Sequence, residues 1–145
     1  MSRSPQNFKN HAKMVPGYHY VASLLLIALL IRAVIGVIRE PSVDTAMGLV
    51  LVAALLLIGF YARTFALGVQ DRVIRLEERL RLEKVLPEEL RERIPELTTD
   101  QLIGLRFAPR EEVETLTRRI LAGELRGRKQ IKVAVENWRA DHQRI

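Results

Sequence analysis

The side chains best suited to chemistry in this sequence are few and scattered. Its three histidines, His11, His19 and His142, form neither H-E-x-x-H nor any other zinc-binding spacing. His19 stands between Tyr18 and Tyr20 at the entrance to a long apolar run. An imidazole there can serve as an axial ligand to a haem or chlorophyll, with His11 as the second candidate for the same tetrapyrrole. The simpler reading makes Tyr18-His19-Tyr20 an interfacial aromatic belt with a polar neighbour. Cysteine is absent, which excludes a disulfide scaffold, a Cys-based zinc or iron–sulfur site and a thiol nucleophile. There is no nucleophile elbow, no phosphate loop and no acid pair inside an apolar run. The sequence therefore predicts a protein that is not an enzyme, takes no small-molecule substrate and holds no metal or cofactor beyond the tetrapyrrole alternative at His19 or His11.

The elements around these residues are set by an uneven distribution of charge. Of 145 residues, the stretch 21–62 carries only Arg32, Arg39, Glu40 and Asp44 as charged side chains, whereas 63–145 carries 33. YVASLLLIALLIRAVIGVI (20–38) and TAMGLVLVAALLLIGFYA (45–62) each approach the roughly 20 residues that span a ~30 Å hydrocarbon layer. A soluble helix of that length would show a polar face, and these do not. A cleaved signal peptide is not expected, because no A-x-A site follows the first run and a second arrives within a few residues. Pro41 stops the first helix, and Ser42 or Asp44 can cap the second. The result is a transmembrane helical hairpin over 20–64.

Orientation follows from the flanks. Residues 1–19 carry Arg3, Lys9 and Lys13 without an acid, the connecting loop carries Arg39 against Glu40 and Asp44, and Arg63, Arg72 and Arg75 follow the second run. The positive-inside rule puts both termini in the cytoplasm and the connecting loop outside, a multi-pass arrangement. Arg32 is the single charge within a span. It snorkels to the headgroups or pairs with Asp44, or it meets an acid or ligand on a partner.

Beyond the second run the helix is predicted to continue as a cytoplasmic stalk over 65–86. Val69, Val73, Leu76 and Leu80 step by 4, 3 and 4, a coiled-coil spacing sustained for only about two heptads. From 87 to 145 the punctuation predicts a small helical bundle. Pro87 opens a short helix ended by Pro95, Thr98 and Gln101 fit a capping box, Arg110 to Ala122 is amphipathic with Gly123 as C-cap, and a last helix after Gly127 places Ile131, Ala134, Val135 and Trp138 on one face. The fold class is thus all-α. Arg126, Arg128, Lys129 and Lys132 at a helix–Gly–helix junction can meet anionic headgroups or nucleic-acid phosphates, but residues 63–145 hold 18 basic against 15 acidic side chains and no nucleic-acid partner is expected. The N-terminal segment 1–19 is read as interfacial. Its Phe8, His11, Met14 and Val15 fit a short helix, and Asn7, Asn10 and His11 are hydrogen-bonders suited to docking.

Gln6-Asn7-Phe8-Lys9-Asn10-His11, Val15-Pro16 and Tyr18-His19 resemble the opening of a small bacterial two-span membrane family of acidobacterial type whose function is unknown. The tail is similar too, through Leu97-Thr98, Leu105-Arg106-Phe107-Ala108, Lys129-Gln130-Ile131-Lys132 and Trp138-Arg139-Ala140-Asp141-His142. Ala140 stands where the family often has proline. The resemblance implies a bacterial inner-membrane protein with a cytoplasmic helical module, and it carries over no catalytic residue.

Taken together, these readings predict an accessory or scaffold subunit of a larger respiratory or photosynthetic membrane complex. Its expected partners are lipids and either that complex or a second copy of the chain. The interface residues are Asn7, Asn10, His11, Arg32, Val69, Val73, Leu76, Leu80 and Trp138. The alternatives are a tetrapyrrole-binding subunit, and a membrane-tethered regulator binding anionic lipid or nucleic acid through its basic C-terminal helices.

Overall fold

The computed structural model describes residues 7–8 and 14–141. It is all-helical among those residues, with α1 at Ser23–Arg39, α2 at Val43–Val85, α3 at Glu88–Arg91, α4 at Thr99–Leu105, α5 at Arg110–Leu121 and α6 at Arg128–Ala134. A π-helical turn, Gly17–Ala22, leads into α1, and a 3-10 turn, Ile94–Glu96, joins α3 to α4. The chain divides into two compact units, Lys13–Ala66 and one containing Leu67–Ile145.

The first unit holds two helices long and apolar enough to cross a membrane, Gly17–Arg39 and the beginning of Val43–Val85. No residue of α1 is buried, and among the described residues of this unit only Val52 is. Within it, the Tyr18 hydroxyl donates to the Gly59 carbonyl at 2.8 Å. Gly36 lets the backbone of α1 come close to Thr45, whose Cγ2 would stand 3.6 Å from an added Cβ. Ser42, rather than Asp44, caps α2. Its hydroxyl accepts from the Thr45 N–H at 3.2 Å, and the Thr45 hydroxyl in turn accepts from the Ser42 N–H at 3.0 Å. This reciprocal pair satisfies two of the free donors at a helix start.

In the second unit α4 is the central element. Leu102, Ile103, Gly104 and Leu105 are all buried, so the second half of this helix is covered on every side. It begins with the predicted capping box, in which Thr98 accepts from the Gln101 N–H and Gln101 accepts from the Thr98 N–H. α5 buries Val113, Leu116, Thr117 and Ile120 on one stripe, with Glu111 and Glu112 in its first turn and Arg118 and Arg119 in its last. That charge order complements the helix dipole. Gly123 follows at φ 82°. The Gly123 N–H reaches Ile120 O and the Glu124 N–H reaches Arg119 O, closing a Schellman end that requires the left-handed conformation.

α6 lies so close to α4 that a Cβ on Gly104 would stand 2.8 Å from the Ile131 Cβ. The core joins Leu82 of α2 and Leu86, just after its end, to Leu90, Leu97, Leu105, Val113, Leu116 and Ile131.

Two elements depart from the sequence expectation. The helix expected from Pro87 to Ile94 closes at Arg91, and Pro95 sits inside a 3-10 turn instead of ending a helix, because the first turn of a helix needs no N–H from it. The last helix stops at Ala134, and Val135 is extended at ψ 119°. Trp138 therefore does not extend a helical face with Ile131. It reaches the core from an irregular segment.

Candidate functional site

The most heavily charged part of the interior is built around the end of α4. Helix ends leave carbonyls without partners. Here Arg81, on α2, donates from Nη1 to Ala108 O at 3.1 Å and from Nη2 to Leu105 O at 3.0 Å. Glu78, one turn earlier, holds Arg81 in place by accepting from its Nε at 2.8 Å. Glu78 is only 3% exposed. Burial pushes its carboxyl above the ordinary carboxylate range, while the charges of Arg81, Arg139 and Arg106 oppose that shift without cancelling it.

Immediately after α4, Arg106 and Phe107 are both buried. The Arg106 guanidinium lies 4.4 Å from the Phe107 ring centroid, and its Nη1 is 3.2 Å from an Asp141 carboxylate oxygen. The Lys132 ammonium of α6 is 5.2 Å from the same ring, and Trp138 stacks on it with centroids 4.5 Å apart. Two cations thus share one aromatic ring whose face carries negative potential. The Arg139 N–H donates to Phe107 O at 2.8 Å, which ties the segment after α6 to this junction. Glu112 fastens the same segment. One of its oxygens accepts from the Glu136 N–H and the other from the backbone and side-chain N–H groups of Asn137. Burial works to raise the Glu112 carboxyl, but these three hydrogen bonds together hold it below the ordinary range.

Four cations (Arg81, Arg106, Lys132 and Arg139) and two acids (Glu78 and Asp141) are therefore linked, directly or through one another, to the Leu105–Ala108 junction. Chemically the cluster fixes chain segments and excludes water. Its acid is buried against an arginine, and no group of three His, Asp or Glu side chains among the described residues could hold a metal ion. The motif residues Leu105 to Ala108, Ile131-Lys132 and Trp138 to Asp141 converge here, although they lie far apart in sequence. What sequence reading missed is Glu78, Arg81 and Glu112. In a stretch as charged as Arg75 to Lys84, nothing in residue type separates a buried carboxylate from a solvated one.

The predicted interface residues fall into separate places. Val69, Val73, Leu76 and Leu80 are each about half exposed or more, while Ile74 and Leu82 on the other side of the same helix are buried. Trp138 is half-buried against Phe107 within the chain. Asn7 is exposed, whereas Asn10, His11 and His142 lie outside the described residues. Arg32 lines a groove with Asp44, yet no ion pair joins them.

His19 is half-buried in the π-turn, with Nδ1 3.0 Å from Val15 N and 3.1 Å from Val15 O. Its ring meets Tyr18 edge-on at 5.3 Å. Of the basic run, Arg128 is paired with Asp100 and lies 3.7 Å from Asp71, Arg126 donates to Gly123 O, and Lys132 is buried on Phe107. Only Lys129 of the four carries no such contact.

Comparison with protein-family models matches residues 1–145 to a single description, Family of unknown function (DUF6526). No curated protein and no solved structure matches the chain.

Proposed function

We propose, from the premise that this chain belongs to that family of unknown function, that it is a small integral membrane protein acting as an accessory or scaffold subunit of a larger membrane complex. In this reading α1 and the first half of α2 form a transmembrane hairpin in a bacterial inner membrane. Both termini are cytoplasmic, and the second half of α2 is the stalk from which the bundle hangs. Support comes from the apolar windows of the two long helices, of which 0% and 6% are buried. Core helices of a soluble protein would be mostly covered, and lipid is the solvent that tolerates these as they stand.

The observation that carries the subunit role is the divided α2. Its Ile74 and Leu82 face is buried, Leu82 in the bundle core, whereas its Val69, Val73, Leu76 and Leu80 face is left uncovered at heptad spacing. A protein partner is the natural cover, and a second copy of the chain is the simplest one. Two copies inserted in one membrane run parallel, which sets Arg72 of one stalk beside Glu77 of the other in the flanking positions of the seam.

Gentle solubilisation of the tagged chain from native membranes, followed by mass determination and mass spectrometry of the eluate, tests this. Co-purification with a larger complex, or a self-associated species dispersed by Leu76→Asp, is the expected result. A monomer with no partner, its mass unchanged by Leu76→Asp, refutes it. The tetrapyrrole alternative draws on one contact. That contact is His19 Nδ1 to Val15 O, which leaves Nε2 to ligate only in the tautomer protonated at Nδ1, whereas the Val15 N–H donating to Nδ1 at 3.0 Å favours the other tautomer. A colourless eluate dismisses it.

A further inference from the structure

We infer that the groove between α1 and the start of α2 is a binding site for a zwitterionic phospholipid whose headgroup pairs a phosphate with a primary ammonium. The inference rests on the membrane reading above. The groove has a volume of about 910 Å³, the upper part of the ~300–1,000 Å³ range of ligand pockets. Its chemistry is layered along the helix. Ala28, Leu29, Leu51 and Val52 line its deeper part. Arg32 comes next, one turn further along α1, and Arg39 follows on the same face about 10 Å beyond at 1.5 Å per residue. Glu40 and Asp44 complete the mouth.

None of these four charged side chains makes an ion pair among the described residues. Glu40 and Asp44 thus leave Arg32 without a partner, and an ionised group at this depth in lipid calls for one.

A phospholipid presents its groups in the same order. Acyl chains lie deepest, the phosphate above them, and a terminal amine outermost on the water side. Arg32 meets the phosphate with its forked donors, the apolar layer below it meets the upper chain carbons, and the two acids at the mouth meet the ammonium. An anionic headgroup such as phosphatidylglycerol satisfies Arg32 through its phosphate but brings no cation to the two carboxylates, of which Arg39 can balance only one. A quaternary amine offers those acids no N–H to accept from. The layered charges therefore select a primary amine.

The test uses the full chain. Alkaline carbonate washing of membranes first checks the reading beneath it: release of the protein overturns the membrane assignment and the lipid site with it. For protein retained in the membrane, native mass spectrometry in detergent follows bound lipid as phosphatidylethanolamine, phosphatidylcholine or phosphatidylglycerol is titrated. Phosphatidylethanolamine is expected to be retained over both others. Arg32→Gln should reduce that retention by about tenfold, as expected for one lost charge-assisted hydrogen bond, and Arg32→Lys should restore part of it. The pair Glu40→Gln and Asp44→Asn should move the preference to phosphatidylglycerol. It also keeps the test open if Arg32 variants insert poorly. Equal retention of the three lipids by the unaltered chain, or a preference untouched by both sets of substitutions, overturns the site while leaving the membrane reading standing. Displacement of bound lipid by water-soluble glycerophosphoethanolamine would show a headgroup site without chains and would equally overturn it.

Discussion

The two units use the same apolar side chains to opposite ends. In Lys13–Ala66, Leu24 is 68% exposed and Ile38 74%, whereas in the unit containing Leu67–Ile145, Leu102 and Leu105 are fully buried. Leucine is no better a marker of a core in one than of a surface in the other. What differs is the medium each surface is fitted to. The second unit is held by burial from water, which rewards each covered leucine with about 1.5–3 kcal/mol. The first gains nothing by covering leucine if its proposed solvent is itself hydrocarbon, and small residues such as Gly36, together with polar contacts such as Tyr18 to Gly59, link its helices instead.

Identical substitutions made in both units break or sharpen this contrast. The largest difference should come from leucine truncation. Leu105→Ala is expected to lower stability by about 2–5 kcal/mol, and Leu57→Ala, 57% exposed in the wild type, by less than about 0.5 kcal/mol. Denaturant unfolding of the detergent-solubilised chain by circular dichroism measures both, and equal losses would erase the contrast.

Glycine comes next, with opposite signs. Gly104→Ala forces a methyl within 2.8 Å of Ile131, and an overpacking cost of about 1–3 kcal/mol outweighs the ~1 kcal/mol gained in helix propensity. At Gly48 an added Cβ meets nothing within 4 Å, so Gly48→Ala should be neutral or stabilising. Adding Ile131→Val to Gly104→Ala should recover part of the loss, and an absence of coupling in that double-mutant cycle would remove the close α4–α6 approach as the cause.

A smaller loss, about 1 kcal/mol, is expected for Thr98→Ala, which removes one half of the capping box. The same assay reads it, and an unchanged midpoint would show that α4 is held by its buried faces alone.

The subtlest effect is in pH. Glu78 has its carboxyl pKa raised by burial, so the folded chain holds that proton more tightly than the unfolded one. Its contribution is greatest at acid pH and declines as pH rises from the ordinary carboxylate value through the raised one. Glu112 is shifted down, and its contribution runs the other way, present above the ordinary value and lost as pH falls through the lowered one. Glu78→Gln should therefore remove a decline in stability on the rising side, and Glu112→Gln a loss on the acid side. Parallel pH–stability curves for the two variants would show that neither carboxylate is shifted as described.

Much of the fold was legible because its signals are local. Thr98 and Gln101, Gly123 after an amphipathic run, and Pro41 before Ser42 each act within a few residues, and each stands where the sequence placed it. The main failure was not local. The run after Gly127 keeps its apolar spacing through Trp138, but the Glu112 hydrogen bonds to Glu136 and Asn137 hold that segment out of the helix, and they come from a residue more than twenty positions away. The charged cluster was half legible. Arg106-Phe107 and Trp138-Arg139 drew notice as motifs, whereas the spacing pairs Arg81 with Glu77 four residues earlier and the structure pairs it with the buried Glu78, because burial is a property of what packs against a residue and not of the residue.

By itself, then, the sequence determined the helices, their punctuation, the two long apolar runs and the heptad-spaced stripe, since these depend on dihedral preference, hydrogen-bond capping and side-chain period. Only the tertiary structure decided which face of α2 the bundle consumes, that Lys132 and Arg106 share the Phe107 ring, and that Arg32 faces a groove with two acids at its mouth. Those depend on contacts between segments distant in sequence, where the free energy of a charge or a methyl is set by its surroundings.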